Sequence, residues 1–203
     1  MRFTDLSGDL LHPAVDGFLS AVDRVMNSNT LLLKIGFEVP VTEENRQAVL
    51  RTFLRSDRFE EMTLAADHVR DWYNLSNPYD ETPAQRPLVR EGFLATVSPL
   101  DREGFTARLR WMLREAFSPY GKHLGGREAE RLAGDFTGRL LEGEADGTAW
   151  RFASVAPDFL RSTCYYTQEE PLRPAYFDGG PCDTATFAHR DHVGYLLLTN
   201  GSP

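Results

Sequence analysis

Apolar residues recur at helical spacing in several stretches of the first two-thirds of the chain. In the clearest of these, residues 12–26, Pro13 suits a first helical turn and the apolar side chains share one face. The same spacing predicts helices over about 42–54, 56–73, 98–119 and 127–141. The short apolar run 30–39 interrupts this series, and we interpret it as a strand that Pro40 ends.

The pattern changes after Gly143, where short runs rich in β-branched and aromatic residues begin. These runs predict strands over 148–155, 163–167, 175–178, 184–189 and 192–199, with no helix between them. Such strands pair antiparallel with their neighbours. We therefore predict an α+β fold in which a helical N-terminal two-thirds packs on one face of a C-terminal antiparallel β-meander. One domain is expected over 1–203, helix-rich in 1–143 and β-rich in 148–203.

The segment 74–87 is long for a connection within one domain, and it holds three prolines. A surface connector, a binding lid and a hinge all remain open as interpretations. Tyr79 within this segment is a candidate ligand-binding aromatic.

Charge and hydropathy exclude several classes of protein. The formal net charge is -8 and the pI is about 5.1, which argues against nucleic acid or an anionic membrane as a partner. No apolar run is long enough to span a membrane, and the start of the chain lacks a signal-peptide pattern. We therefore expect a cytoplasmic protein, and its many arginines and few lysines suggest a bacterial one.

The densest group of ionisable side chains lies in the predicted hairpin at His189, Asp191 and His192. If this segment were one strand, His189 and Asp191 would share a face. If Arg190 and Asp191 formed a two-residue turn, His189 and His192 would be a cross-strand pair, close enough to share a proton or a metal ion. We take His189, Asp191 and His192 as candidate acid–base residues, and a solvated turn is the simpler alternative.

Residues 186–194 resemble the histidine-rich metal motif of the metallo-β-lactamase family at Thr186, His189, Asp191, His192 and Gly194. In that family a histidine ligand stands where this chain has Phe187. The likeness covers nine residues of 203. We carry over no metal ligand from it, and we predict no metal site.

Two other positions are candidate ligand contacts. Lys122 lies in a glycine-rich segment before a predicted helix, where backbone amides are able to approach an anion, although the segment is not a Walker loop. Tyr166 lies on a predicted strand beside Cys164. Because neighbouring side chains on a strand point to opposite faces, Tyr165 or Tyr166 is exposed to a ligand or solvent.

Two classes of function follow from these observations. The first is a small bacterial cytosolic enzyme or ligand-binding protein that acts on an organic small molecule, in secondary metabolism, with its acid–base groups on the C-terminal hairpin. The alternative is a non-catalytic acidic interaction protein of the immunity type. Neither catalysis, nor a cofactor, nor an oligomeric state follows from the sequence. A pocket that contains His189 or His192 favours the first class.

Overall fold

The structure is a computed structural model that describes residues 10–70, 92–116, 121–141, 149–159 and 183–201. Its helices are α1 (Pro13–Met26), α2 (Arg46–Leu54), α3 (Asp57–Arg70), α4 (Arg102–Arg114) and α5 (Gly126–Leu140). Its strands are β1 (Ser28–Gly36), β2 (Val97–Leu100), β3 (Arg151–Val155), β4 (Thr184–Arg190) and β5 (Val193–Gly201). The fold is α+β, as the hydrophobic pattern predicts.

The five strands form one antiparallel sheet in the order β1-β5-β4-β3-β2. β1 precedes most of the helices, yet it pairs along its whole length with β5, with Leu31 opposite Leu198 and Leu33 opposite Leu196. β2 comes from the middle of the chain and pairs with β3. The predicted division into a helical part and a C-terminal meander is therefore only partly right, because strands from earlier in the chain form both edges of the sheet.

The segment that begins at Ser98 is an edge strand, where the sequence predicts the start of a helix. Pro99 lies within β2, and a proline is tolerated there because the missing N–H belongs to the outer edge of a sheet. The helix α4 starts later, at Arg102. Asp101 caps it by accepting a hydrogen bond from the backbone N–H of Gly104 at 2.6 Å. The predicted start of this helix, at Ser98, is therefore three residues before the residue that caps it, Asp101.

Helices cover both faces of the sheet, and the prediction of one covered face is wrong. On one face, Phe105 of α4 stacks on Phe152 of β3 with ring centroids 4.6 Å apart. On the other face, Phe37 contacts both Phe187 of β4 and Phe53 of α2. Strand register places Phe152 and Phe187 on opposite faces, since Phe152 pairs with the residue after Phe187. Residues 184–189 of β4 are all buried, because both faces of this strand are covered.

The β4–β5 turn consists of Asp191 and His192, and Arg190 pairs with Val193 to close it. The expected turn at Arg190 and Asp191 is thus displaced by one residue. Asp191 has a φ of 48°, a left-handed conformation that aspartate adopts more readily than most residues. His189 consequently pairs with Gly194 and not with His192.

Several predictions fall outside the described residues. They concern the strands over 163–167 and 175–178, the 74–87 segment with Tyr79, and Tyr166 with Cys164. Within the part of the chain that the structure describes, no helix is both long and apolar enough to cross a membrane.

Candidate functional site

His189 lies near the end of β4, on the face of the sheet that α2 covers. Its cross-strand neighbours are Arg151 on β3 and Gly194 on β5. Phe187 lies two residues back on the same face, and the two rings stack with centroids 5.2 Å apart at an interplanar angle of 24°. The imidazole therefore packs on the Phe187 ring, near the end of the central strand of the sheet.

The ring of His189 is fully buried, and neither ring nitrogen has a hydrogen-bond partner of good geometry among the described residues, although the Val41 backbone lies close enough to the ring to favour its protonated form. Buried polar groups in folded proteins are almost always hydrogen-bonded. An orphaned one costs about 1–3 kcal/mol of stability.

The electrostatic surroundings keep this imidazole neutral. Burial lowers the pKa of His189 to about 4, and the positive charges of Arg46 and Arg151 act in the same direction. The Val41 backbone and the Glu43 carboxylate oppose the shift without cancelling it. At neutral pH one ring nitrogen is therefore a hydrogen-bond donor and the other an acceptor.

His189 lines a cleft of about 300 Å³ at the hairpin end of the sheet. One wall is the connector between β1 and α2, through Val41, Thr42, Glu43 and Glu44, and the other is the sheet end with Ala149, Arg151, Arg190 and Asp191. The Val41 N–H donates to the Asp191 carbonyl at 2.7 Å and so holds the two walls together. The volume lies at the lower end of the range typical of small-molecule sites.

Most charged side chains around the cleft already have a contact. Arg151 forms an ion pair with Glu43 across the cleft, with 3.2 Å between Nε and Oε1. The Arg190 guanidinium stacks over the ring of Trp150, 5.2 Å from its centroid. Only the first of these two contacts pairs an arginine with an opposite charge.

A third arginine, Arg46, differs from these two. Its residue is only 8% exposed, and no carboxylate of the described residues lies within ion-pair distance of it. The Glu44 carboxylate interacts with Arg46 electrostatically without forming a close ion pair. Arg46 does not line the cleft, whereas His189 does.

Sequence reasoning did not identify Arg46, although a weak signal was present. Arg46 is the first residue of α2, and the first turn of that helix has no acidic residue. Cations are disfavoured at helix N-termini because the helix dipole is positive there. An arginine at this position is therefore unusual for a helix start.

The structure separates the predicted site residues. His189 and Asp191 both line the cleft, whereas His192 and Lys122 do not. The His192 ring instead hydrogen-bonds the Phe37 carbonyl at 3.0 Å. Tyr79 and Tyr166 lie outside the described residues.

The glycine-rich segment around Lys122 has a packing role. A Cβ on Gly121 would lie 1.6 Å from the Val25 carbonyl oxygen, so this glycine allows the chain to approach the end of α1. Lys122 itself is exposed. Close packing against the Val25 backbone is therefore enough to explain a glycine at position 121, and a bound anion is not needed for that explanation.

No group of three His, Cys, Asp or Glu side chains suited to a metal ion occurs in the described ranges. A second depression, of about 480 Å³, lies on the other side of the connector and is lined mainly by apolar side chains such as Phe37, Val39 and Phe53. Neither of its charged side chains, Glu38 and Arg58, is fully buried. The His189 cleft is therefore the better candidate for specific recognition.

Comparison with known proteins gave no match, whether to a family model, to a curated protein or to a solved structure.

Proposed function

We propose that this protein binds a small organic molecule in the cleft beside His189, and that the imidazole contacts the molecule directly. The observation that carries the proposal is that His189 is a lining residue of an open cleft, and that its buried ring lacks a well-placed hydrogen-bond partner among the described residues. A ligand that forms hydrogen bonds with the ring offsets the cost of burying it.

Binding is supported better than general-base catalysis. A base works best when its pKa is close to the operating pH, and burial holds the pKa of His189 at about 4. With a pKa of about 4, His189 is a weak proton acceptor at neutral pH but a good hydrogen-bonding group. The acid–base role proposed from the sequence requires a ligand that raises this pKa.

An interaction protein is the second candidate, and one observation favours it. Val39 is 52% exposed beside the apolar depression on the other side of the connector. Exposed apolar patches often mark protein interfaces. His189 has no part in that depression, so substitution of His189 distinguishes the two candidates.

The direct test is a screen of small organic molecules against protein with isotope-labelled histidine rings, followed by NMR. The His189 signal is assigned by its loss in His189→Leu. We expect at least one compound to shift the His189 signal saturably, leave the His123 signal in place, and lose its affinity in His189→Leu. His123 is a suitable reference because it does not line the cleft. If every compound that binds leaves the His189 signal unchanged, the proposal is wrong.

A further inference from the structure

His189 lines the cleft, yet the residue exposes none of its surface. A molecule in the cleft therefore reaches the imidazole only if a neighbouring side chain moves. We propose that the ion pair between Glu43 and Arg151 is a side-chain gate between the cleft and the His189 ring. This inference rests on the proposed function, because it says how a ligand gains access to the same site.

The sheet places the Arg151 side chain beside the imidazole. Arg151 on β3 pairs directly with His189 on β4. Directly paired residues of an antiparallel sheet lie on the same face, with Cβ atoms about 4.5–5.5 Å apart. Both residues also line the cleft. The long Arg151 side chain is therefore in a position to cover the ring.

Glu43 reaches Arg151 from the opposite wall of the cleft. It belongs to the connector between β1 and α2, and its Oε1 lies 3.2 Å from Nε of Arg151. Arg190, another cation that lines the cleft, is instead stacked over the ring of Trp150. The Glu43–Arg151 pair thus joins the side chains of the two walls next to His189.

Exposure makes this ion pair easy to open. The side chains of Arg151 and Glu43 are 51% and 59% exposed. Such pairs contribute little to stability, because water and salt screen their charges and because pairing restricts two long side chains. The backbone beside them is held more firmly, since the Val41 N–H donates to the Asp191 carbonyl at 2.7 Å. Rotation of two side chains is therefore enough to admit a ligand, and the connector need not move.

The experiment measures access to the ring in the absence of any ligand. Diethyl pyrocarbonate modifies neutral imidazoles, and mass spectrometry of the peptide that contains His189 gives the rate of modification. Glu43→Ala removes the ion pair. We expect modification of His189 at pH 7 to become about two- to fivefold faster, the range that the loss of an exposed ion pair allows. High salt should accelerate the reaction in the original protein more than in the variant.

The pKa of His189 separates a gate from a simple charge effect. Burial is the largest cause of its low value of about 4, and Arg46 and Arg151 lower it further. The Glu43 carboxylate and the Val41 backbone raise it. If Glu43 acted only through its charge, Glu43→Ala would lower the pKa. Opening of the gate instead lets water reach the ring, so we expect NMR titration to show a rise toward the ordinary value.

Two further variants show whether the pairing itself matters. Asp135→Ala breaks an equally exposed ion pair with Arg131 on α5, away from the cleft, and should leave the rate and the pKa unchanged. Exchange of the two charges, by Glu43→Arg together with Arg151→Glu, should restore slow modification. If the exchanged protein reacts as fast as Glu43→Ala, pairing is not what closes access to the ring. All of these variants should fold, because the substituted side chains are about half exposed or more.

The outcomes separate this inference from the proposed function. An unchanged modification rate or a lowered pKa in Glu43→Ala overturns the gate, whatever the compound screen finds. A faster rate together with a raised pKa supports it. If the gate opens in this way but no compound shifts the His189 signal, the proposed function fails by itself.

Discussion

His192 and Phe37 are joined by two hydrogen bonds. The Phe37 N–H donates to the His192 carbonyl at 2.8 Å, and the His192 ring lies with Nδ1 3.0 Å from the Phe37 carbonyl oxygen. Because a carbonyl only accepts, Nδ1 carries the proton in this contact. The pair fixes the β4–β5 turn to the start of the connector that forms one wall of the His189 cleft.

Loss of the His192 ring should therefore affect stability. We expect His192→Ala to lower the free energy of unfolding by about 1 kcal/mol, the usual contribution of one hydrogen bond. Amide exchange at Phe37 and Val41 should become faster, as the connector loosens. Asp191→Asn is the control, because the turn uses the backbone of Asp191 and asparagine tolerates its positive φ. An unchanged stability in His192→Ala would show that the ring does not anchor the connector.

The pKa of His189 makes stability depend on pH. This pKa is about 4 in the folded protein, against an ordinary value of 6.5 that unfolding restores. Between these values the unfolded chain binds the extra proton, so stability falls as the pH drops from 6.5 to 4. Above this window the group has no effect on the pH dependence. The loss from this group reaches about 3 kcal/mol at the acid end.

Urea unfolding at pH 7 and pH 5 checks this prediction in the original protein and in His189→Leu. Between these two pH values the original protein should lose about 2 kcal/mol more than the variant, because only the original protein has this imidazole. Other titrating groups occur in both proteins and cancel in the comparison. Equal losses would mean that His189 titrates at its ordinary pKa.

Gly121 and Gly125 give a matched test of the glycine-rich segment. A Cβ on Gly121 would collide with the backbone carbonyl of Val25, whereas a Cβ on Gly125 meets nothing within 4 Å. We expect Gly121→Ala to lower the melting temperature sharply, and Gly125→Ala to leave it nearly unchanged. If both variants behave alike, close packing is not the reason for Gly121.

Asp158 anchors the backbone that leads into β2. Its carboxylate accepts hydrogen bonds from the N–H groups of Leu94 at 3.0 Å and Ala95 at 2.9 Å. Asp158→Ala should cost about 2 kcal/mol of stability, since it removes two charge-assisted hydrogen bonds. Asp158→Asn retains one acceptor oxygen and should cost less. Chemical unfolding of the two variants measures this order, and a reversed order would contradict the bidentate contact.

Local signals in the sequence predicted much of the secondary structure. The first helix was expected over residues 12–26, and it forms over Pro13–Met26 with His12 as its cap, whose Nδ1 accepts a hydrogen bond from the Ala14 N–H at 3.2 Å. The start of α4 was misplaced because the sequence offers two good starting signals. One is Ser98 followed by Pro99, and the other is Asp101. Only the pairing of residues 97–100 with β3 decides between them, and that pairing is not local.

The surroundings of His189 depend on contacts that are not local. A cluster of ionisable residues drew attention to His189, and the sequence left open whether it shares a face with Asp191 or pairs with His192. The turn consists of Asp191 and His192, so His192 does not pair with His189, and the β1–α2 connector adds Val41, Thr42, Glu43 and Glu44 to the cleft. No sequence pattern brings residues 41–44 next to residue 189, because their approach depends on the tertiary fold.

The central claim is that His189 is retained for a ligand and not for stability. The most direct test is the free energy of unfolding of His189→Leu at pH 7. Leucine fills the space without orphaned polar atoms, so we predict a value equal to that of the original protein or higher by about 1 kcal/mol. A decrease of about 2 kcal/mol or more, the size of effect seen when a core contact is lost, would contradict the claim.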